Sequence, residues 1–181
     1  MAEIACLIEA TRGIEERHAS LDRGGTGGPC SAAMAVQAHY QGQGRSGIAV
    51  KRVASAAQRM LEAMRIGEAE LSLLLCDDPT MATLNRDYRG KEGPTDVLAF
   101  ALLEGTPMAA RGPLLLGDVV ISLPTAKRQA EERGRSMHDE VMELLAHGLL
   151  HLLGFDHVDL PQERRMRART DLLRSTALSG S

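Results

Sequence analysis

Apolar side chains recur along this chain with two periods, and the switches between them outline a succession of strands and helices. Leu71, Leu73, Leu74 and Leu75 form a short aliphatic run that stops at Asp77-Asp78-Pro79, the pattern of a strand over 70–76. A second run over 114–122 and a shorter one over 97–102 predict two further strands, and residues 35–40 predict a weaker fourth. Between the strands the period lengthens. Val53, Ala57, Met60, Leu61 and Met64 fall on one side of a helix over 51–64. A short helix is expected over 80–88, opening after Pro79, and another over 124–133 with Pro124 in its first turn. Ser136 is placed to cap a helix over 136–153, with Asp139, Glu140 and Glu143 near its positive end. A last, arginine-rich helix is expected over 160–175. Strands alternating with helices predict an α/β or α+β sandwich around one sheet.

The first 33 residues do not follow this pattern. Beyond a short helical stretch over 4–16 they carry little periodicity, and Gly24-Gly25-Thr26-Gly27-Gly28-Pro29 is turn-rich. That glycine run lacks the Lys-Ser/Thr ending and the preceding strand of a phosphate-binding loop. Two readings stay open: a flexible N-terminal extension, or a translation start at Met34 that leaves residues 1–33 out of the mature protein. Residues 34–181 are expected to form a single domain, long enough to bury a core unaided.

Composition narrows the setting. With 44% hydrophobic but only 2% aromatic residues, the core must be aliphatic. The three cysteines, Cys6, Cys30 and Cys76, are odd in number and lack CxxC spacing, which points away from a disulfide framework and toward a reducing cytoplasm. No apolar stretch approaches the roughly 20 residues that span a bilayer. The N-terminus lacks the basic-then-apolar order of a signal peptide. A net charge of −3 argues against a bulk nucleic-acid coat and leaves room for a local basic groove.

The candidate chemistry lies at the end of the 136–153 helix, in His147-Gly148-Leu149-Leu150-His151-Leu152-Leu153-Gly154-Phe155-Asp156-His157. His147 and His151 are four residues apart and share a helix face. Gly154 tolerates the left-handed backbone that ends a helix, and the reversed chain then returns His157 beside the first two. Three converging imidazoles leave a tetrahedral zinc its fourth position for water, the layout of a catalytic ion. Any one of these histidines alone reads best as a hydrogen-bonded core or surface residue. Three of the chain's six within one eleven-residue window read as a metal site. His18, His39 and His138 show no such spacing and are expected to be solvated. The frame H-x-x-x-H-x-x-G-x-x-H is also that of metzincin proteases, whose general-base glutamate follows the first histidine. Here that position is Gly148, so a proteolytic mechanism lacks its proton acceptor.

The same eleven residues match, position by position, the H-G-x-L-H-L-x-G-Y/F-D-H signature of the YbeY family of bacterial endoribonucleases. Leu84-Asn85-Arg86-Asp87-Tyr88-Arg89-Gly90-Lys91, followed by Pro94-Thr95-Asp96-Val97-Leu98, resembles that family's L-N-x-x-Y-R-x-K…P-T-D-V-L segment. Leu116-Gly117-Asp118-Val119-Val120-Ile121-Ser122 resembles its L-G-D-I-V-I-S strand, and the likeness spans roughly residues 34–175. Where the family continues V-L-S-F-P, this chain has Val97-Leu98-Ala99-Phe100-Ala101, so position 99 is given no role. The resemblance implies an α+β fold, with a mixed sheet of about four strands packed with about five helices and the metal site on a central helix. It implies one zinc ion held by His147, His151 and His157. It also implies zinc-dependent, single-strand-specific RNA cleavage in ribosomal RNA maturation, at the small-subunit 3′ end, and in ribosome quality control. The implied partners are single-stranded and ribosomal RNA and the small ribosomal subunit or its assembly factors, with neither DNA nor a membrane, in the cytoplasm.

Zinc on three neutral imidazoles lowers the pKa of its water toward ~7. Attack on a phosphodiester builds charge on the equatorial oxygens, which a fixed cation stabilises. Arg89 is the candidate, because a guanidinium grips two phosphate oxygens at once, and the family's matching arginine is regarded as functional. On residue pattern alone, Arg89 reads as a surface arginine capping the 80–88 helix. Asp156 either orients a histidine, acts as a base or caps the turn. Asp118 is expected to be structural, and Arg164, Arg165, Arg167 and Arg169 read as a solvated helix face sooner than as an RNA or ribosome contact. Two other functions stay open. One is a non-catalytic ribosome-assembly factor that uses zinc to hold its fold, closed by a further ligand such as Cys76 or Asp156. The other is a metallohydrolase of another substrate, such as small phosphoesters.

Overall fold

In the computed structural model the described residues are 36–43, 45–102, 114–155 and 160–179. They contain β1 (Val36–Gln41), α1 (Val50–Ala63), β2 (Glu70–Cys76), α2 (Asp78–Arg89), β3 (Val97–Ala101), β4 (Leu115–Ser122), α3 (Leu123–Glu132), α4 (Met137–Leu152) and α5 (Leu160–Leu178). The readings made for residues 1–33, for Asp156 and for His157 lie outside them. The strands form one sheet in the order β1-β2-β4-β3, with β1, β2 and β4 parallel and β3 antiparallel to β4. A mixed four-stranded sheet with five helices is the α+β arrangement implied by the sequence.

The two periods in the sequence become two kinds of buried surface. Along β2, Leu71, Leu73 and Leu75 are buried while Ser72 and Leu74 alternate with them on a less covered side. They join Val119 and Ile121 of β4, Val53, Ala57, Met60 and Leu61 of α1, and Leu145 and Leu149 of α4 in one core. Helix α4 is apolar round most of its circumference because it is covered from most directions: it packs on α1, α3, α5, β3 and β4. The histidine-bearing helix is therefore the central one.

Three local details differ from the sequence reading. Helix α2 begins at Asp78, not after Pro79, because the Asp77 side chain accepts from Thr80 N at 3.1 Å and Pro79 sits in the first turn, where no N–H is missed. Helix α5 runs on to Leu178, since Leu173 and Ala177 are buried and Arg59 of α1 donates to the Ala177 carbonyl. His138 is not solvated but half-buried at the start of α4. Burial, and then the charge of Arg52, hold its pKa below the usual value. His39 is exposed, as expected.

Charged groups tie the elements together in two places. Glu140, read from sequence as a helix-dipole charge, is fully buried and clasped by Arg133 and Arg135, while Arg135 also reaches Glu143. A carboxylate at such depth persists only with partners of this kind. Asp78 accepts from Thr125 Oγ1 and Arg128 Nη1, both at 2.8 Å, and from Ser122 Oγ, which locks the start of α2 to the β4–α3 junction. Burial pushes the Asp78 carboxyl up, but these donors outweigh it and hold it below the ordinary range. Glu143 is likewise held low: burial raises its carboxyl, and the Arg135 hydrogen bond together with the charges of Arg135, Arg133 and Arg174 outweighs that. A carboxylate depressed in the fold contributes stability above its unfolded pKa and loses it as pH falls through the folded value. Thermal unfolding followed by circular dichroism should thus show a midpoint that is steady above about pH 5 and drops below about pH 4. Asp78→Asn should flatten part of that drop; an unchanged acid limb would remove Asp78 from its cause.

Candidate active site

Gly148 brings the histidine helix against the sheet. A Cβ there would meet Val119 Cγ1 at 2.9 Å, Val119 Cγ2 at 3.3 Å and Val97 Cγ2 at 3.4 Å, so the approach depends on the missing side chain. At about 100° per residue, His147 and His151 lie about 60–100° round the helix from that sheet-facing line, both on the same side. The rule that makes Gly148 a packing residue thus also aims the two histidines at one place.

Both histidines are half-buried. Their Nε2 atoms are 3.1 Å apart, with the rings at 84° and their centroids 4.6 Å apart. Two nitrogen ligands on one tetrahedral zinc, at roughly 2.0–2.1 Å each, stand about 3.3 Å from each other, so the observed spacing fits a shared ion with only a slight opening. Among the described residues no third His, Cys, Asp or Glu completes a cluster with them, and His157, the expected third ligand, lies outside those residues together with Asp156. The turn leading to them is built as the sequence implied. Gly154 has φ 78°, its N–H donates to His151 O at 3.0 Å, and Phe155 N–H donates to Leu150 O at 3.0 Å. These are the paired bonds of a left-handed helix end.

The histidines open onto a cleft of about 570 Å³, whose walls include Arg89, Thr95, Asp96, Ala99 and Phe155. Arg89 closes α2, just before the left-handed Gly90, and its side chain is exposed. The carbonyls at the end of α2 are met by backbone N–H groups, Gly90 N to Arg86 O and Lys91 N to Asn85 O, so the guanidinium is not used as a helix cap. Among the described residues it makes no ion pair or side-chain hydrogen bond. Folding therefore brings Arg89 to the two histidines, and its charge is available there.

Asp96 is a cleft residue to which the sequence reading gave no role. Its Oδ1 accepts from Val97 N at 2.8 Å and Thr95 Oγ1 at 3.1 Å, and its Oδ2 accepts from Gln129 Nε2 at 3.0 Å. The Pro-Thr-Asp step before a strand was visible, but the Gln129 contact that fixes the carboxylate comes from α3. Asp96 and His147 also border a second cavity of about 650 Å³, into which Arg133, Arg135, Arg167 and Arg174 face. Three of these arginines meet carboxylates, at Glu140, Glu143 and Asp171.

The remaining candidates are placed as follows. Cys76 is buried at the end of β2, its thiol pushed up to about 12 by burial and then by Asp77 and Asp78. It is absent from the described cleft lining and is not placed to be a further ligand there. Asp118 sits in the sheet opposite Phe100, with its carboxyl raised by burial against a lowering hydrogen bond from Ser72. Of the five arginines of α5, the four read as a solvated face, Arg164, Arg165, Arg167 and Arg169, are all exposed, as expected. Two of them have further surroundings: Arg167 borders the second cavity, and the Arg169 guanidinium lies 4.4 Å from the centre of the Phe155 ring.

A family model described as Endoribonuclease YbeY matches residues 40–177. Endoribonuclease YbeY of Pelotomaculum thermopropionicum is 50% identical over 118 residues, covering 64% of this chain and 78% of that protein. Endoribonuclease YbeY of an Anaeromyxobacter species is 46% identical over 140 residues, covering 77% of this chain and 70% of that protein. The solution structure of TM1509 from Thermotoga maritima matches with a TM-score of 0.56 at 22% identity, over 80% of this chain and 90% of that one, a likeness of fold. Among the described residues no helix is long and apolar enough to cross a membrane.

Proposed function

The chain belongs to the endoribonuclease YbeY family, and on that footing we propose that it is a metal-dependent endoribonuclease that cleaves single-stranded RNA. Its substrate setting is ribosomal RNA maturation at the small-subunit 3′ end and late ribosome quality control. The observation that carries the proposal is the cleft in which Arg89, from α2, stands with His147 and His151, from α4.

His147, His151 and His157 would hold one zinc ion, which when bound supplies a Lewis acid and lowers the pKa of a water. The chain's own groups do the rest. Arg89 offers a planar fork of N–H donors to two non-bridging phosphate oxygens, which orients the phosphodiester and meets the charge that grows there. Asp96 has both oxygens engaged, so it holds the Thr95–Val97 wall in place and is a poor proton acceptor. Asp156 remains the candidate for orienting a histidine or taking a proton. A zinc-stabilised assembly factor without catalysis would need another protein ligand, and the buried position of Cys76 does not favour it.

The test is incubation of the purified protein with single-stranded and duplex RNA, with and without a chelator. Cleavage of single strands that stops on chelation is the expected result, and a zinc-loaded protein that leaves every single strand intact would sink the proposal. Arg89→Glu should lower cleavage by about 100-fold or more while zinc content and thermal midpoint stay at the parent's values. Parent-like cleavage by that variant would remove Arg89 from the mechanism.

A further inference from the structure

We infer that Arg169 is a second phosphate-binding residue of the cleft, seated on Phe155 so that it fixes the path of the RNA strand on the α5 side of the histidines. This rests on the endoribonuclease reading and adds to it where the strand runs.

The chain carries a net charge of −3, yet α5 holds five arginines against two acids, Glu163 and Asp171. Those cations are not equivalent. Arg174 stands 3.9 Å from Asp171, and Arg167 borders the second cavity among paired charges. Arg169 is exposed and, among the described residues, meets no carboxylate; its contact is the Phe155 ring, 4.4 Å from the guanidinium carbon. Phe155 in turn is a wall of the cleft. Its place is set by the turn that ends the histidine helix, through the bond from its N–H to Leu150 O. One turn therefore both closes α4 and seats Arg169 beside the cleft.

Stacking on an aromatic ring uses the face of a guanidinium and leaves its edge, with the N–H donors, open to solvent. The stacked side chain has already lost part of its rotamer freedom, so less entropy remains to be lost when a phosphate binds. Single-stranded nucleic acids are held by basic grooves that follow the backbone. Asp96, the carboxylate described in the cleft wall, has its oxygens occupied by donors. Arg89 lines the cleft from α2, and Arg169 of α5 stands at its margin on the Phe155 wall, so a strand touching both is held at two phosphates by different elements of the fold.

The test uses the full chain and a fluorescein-labelled oligouridylate. Binding is read by fluorescence anisotropy across a salt series, with steady-state cleavage measured in parallel. Arg169→Ala should weaken binding and raise KM about tenfold with kcat unchanged, and should reduce the slope of log affinity against log salt by about one. Arg169→Lys, which keeps the charge and loses the planar stack, should fall between parent and alanine. Arg164→Ala, on the same helix, should match the parent. A role confined to covering the Phe155 ring would instead lower the thermal midpoint of Arg169→Ala and leave affinity and salt slope untouched, which overturns the inference. If the parent binds RNA and Arg169→Ala binds it equally, the inference fails alone; a parent that binds no RNA defeats the endoribonuclease reading and the inference with it.

Discussion

His151→Ala should give a folded protein that retains little zinc and shows no measurable RNA cleavage. Alanine suits a helix interior, and the site is a half-buried edge of α4, so the fold should lose only about 1–2 kcal/mol. What disappears is one of two nitrogens held 3.1 Å apart. The remaining imidazole of His147 cannot reproduce that pair, and a zinc ion bound through fewer protein ligands is held less tightly. Three measurements separate this outcome from general damage. Metal analysis after equilibration with zinc should give about one ion per chain for the parent and well below that for the variant. Chelation should lower the parent's thermal midpoint, because a ligand that binds only the folded chain stabilises it, and should leave the variant's midpoint where it was. Cleavage should vanish in His151→Ala together with the metal, whereas Arg89→Glu loses cleavage and keeps it. Full RNA cleavage by a zinc-free His151→Ala protein would end the case for the histidines.

What could be read in advance was governed by how far apart in the chain the interacting groups lie. Ser136 capping Asp139 N at 3.0 Å and Gly154 ending α4 involve neighbours within a few residues, and the sequence reading located both. The strand at Leu71 to Leu75 was equally plain, because a short aliphatic run and the Asp77-Asp78-Pro79 stop lie within one segment. The ion cluster of Glu140 was harder. Its arginines are only five and seven residues away, but the need for them comes from burial that α4 acquires through its neighbours. Asp78 was hidden for a simpler reason, since Ser122, Thr125 and Arg128 lie 44 to 50 residues further on, beyond helix α2 and strands β3 and β4. The candidate site divides in the same way. The His147–His151 pair follows from helix geometry, whereas the meeting of Arg89 with them is a product of tertiary packing. The sequence could suggest it only through resemblance to a family. Arg169 escaped because a basic helix face and a seated guanidinium look alike until Phe155 is in place.

Gly148→Glu would give the chain the His-Glu-x-x-His order of a protease helix, and it should yield a protein that fails to fold, not a peptidase. The added Cβ alone falls 2.9 Å from Val119 Cγ1, inside contact distance, with Val97 Cγ2 at 3.4 Å. For Gly148→Ala this overpacking costs about 1–3 kcal/mol, partly offset by the roughly 1 kcal/mol that alanine gains over glycine in a helix. A measurable drop in thermal midpoint should follow, and trimming Val119 to alanine in the same chain should recover part of it, since the two positions share one contact. Glutamate adds a carboxylate between α4 and an apolar sheet face, where burying an unpaired charge costs several kcal/mol more. The sum approaches the whole stability of an ordinary domain, about 5–15 kcal/mol. A Gly148→Glu protein that melts with the parent would show that the helix does not rest on the sheet at this point. The same geometry explains why the proteolytic mechanism has no foothold here. In a protease the residue after the first histidine looks into the site and takes the proton. In this fold that position borders the cleft but carries no side chain, and the space of its Cβ is taken by Val119 and Val97, so whatever accepts the proton during RNA cleavage must reach the cleft from another part of the chain.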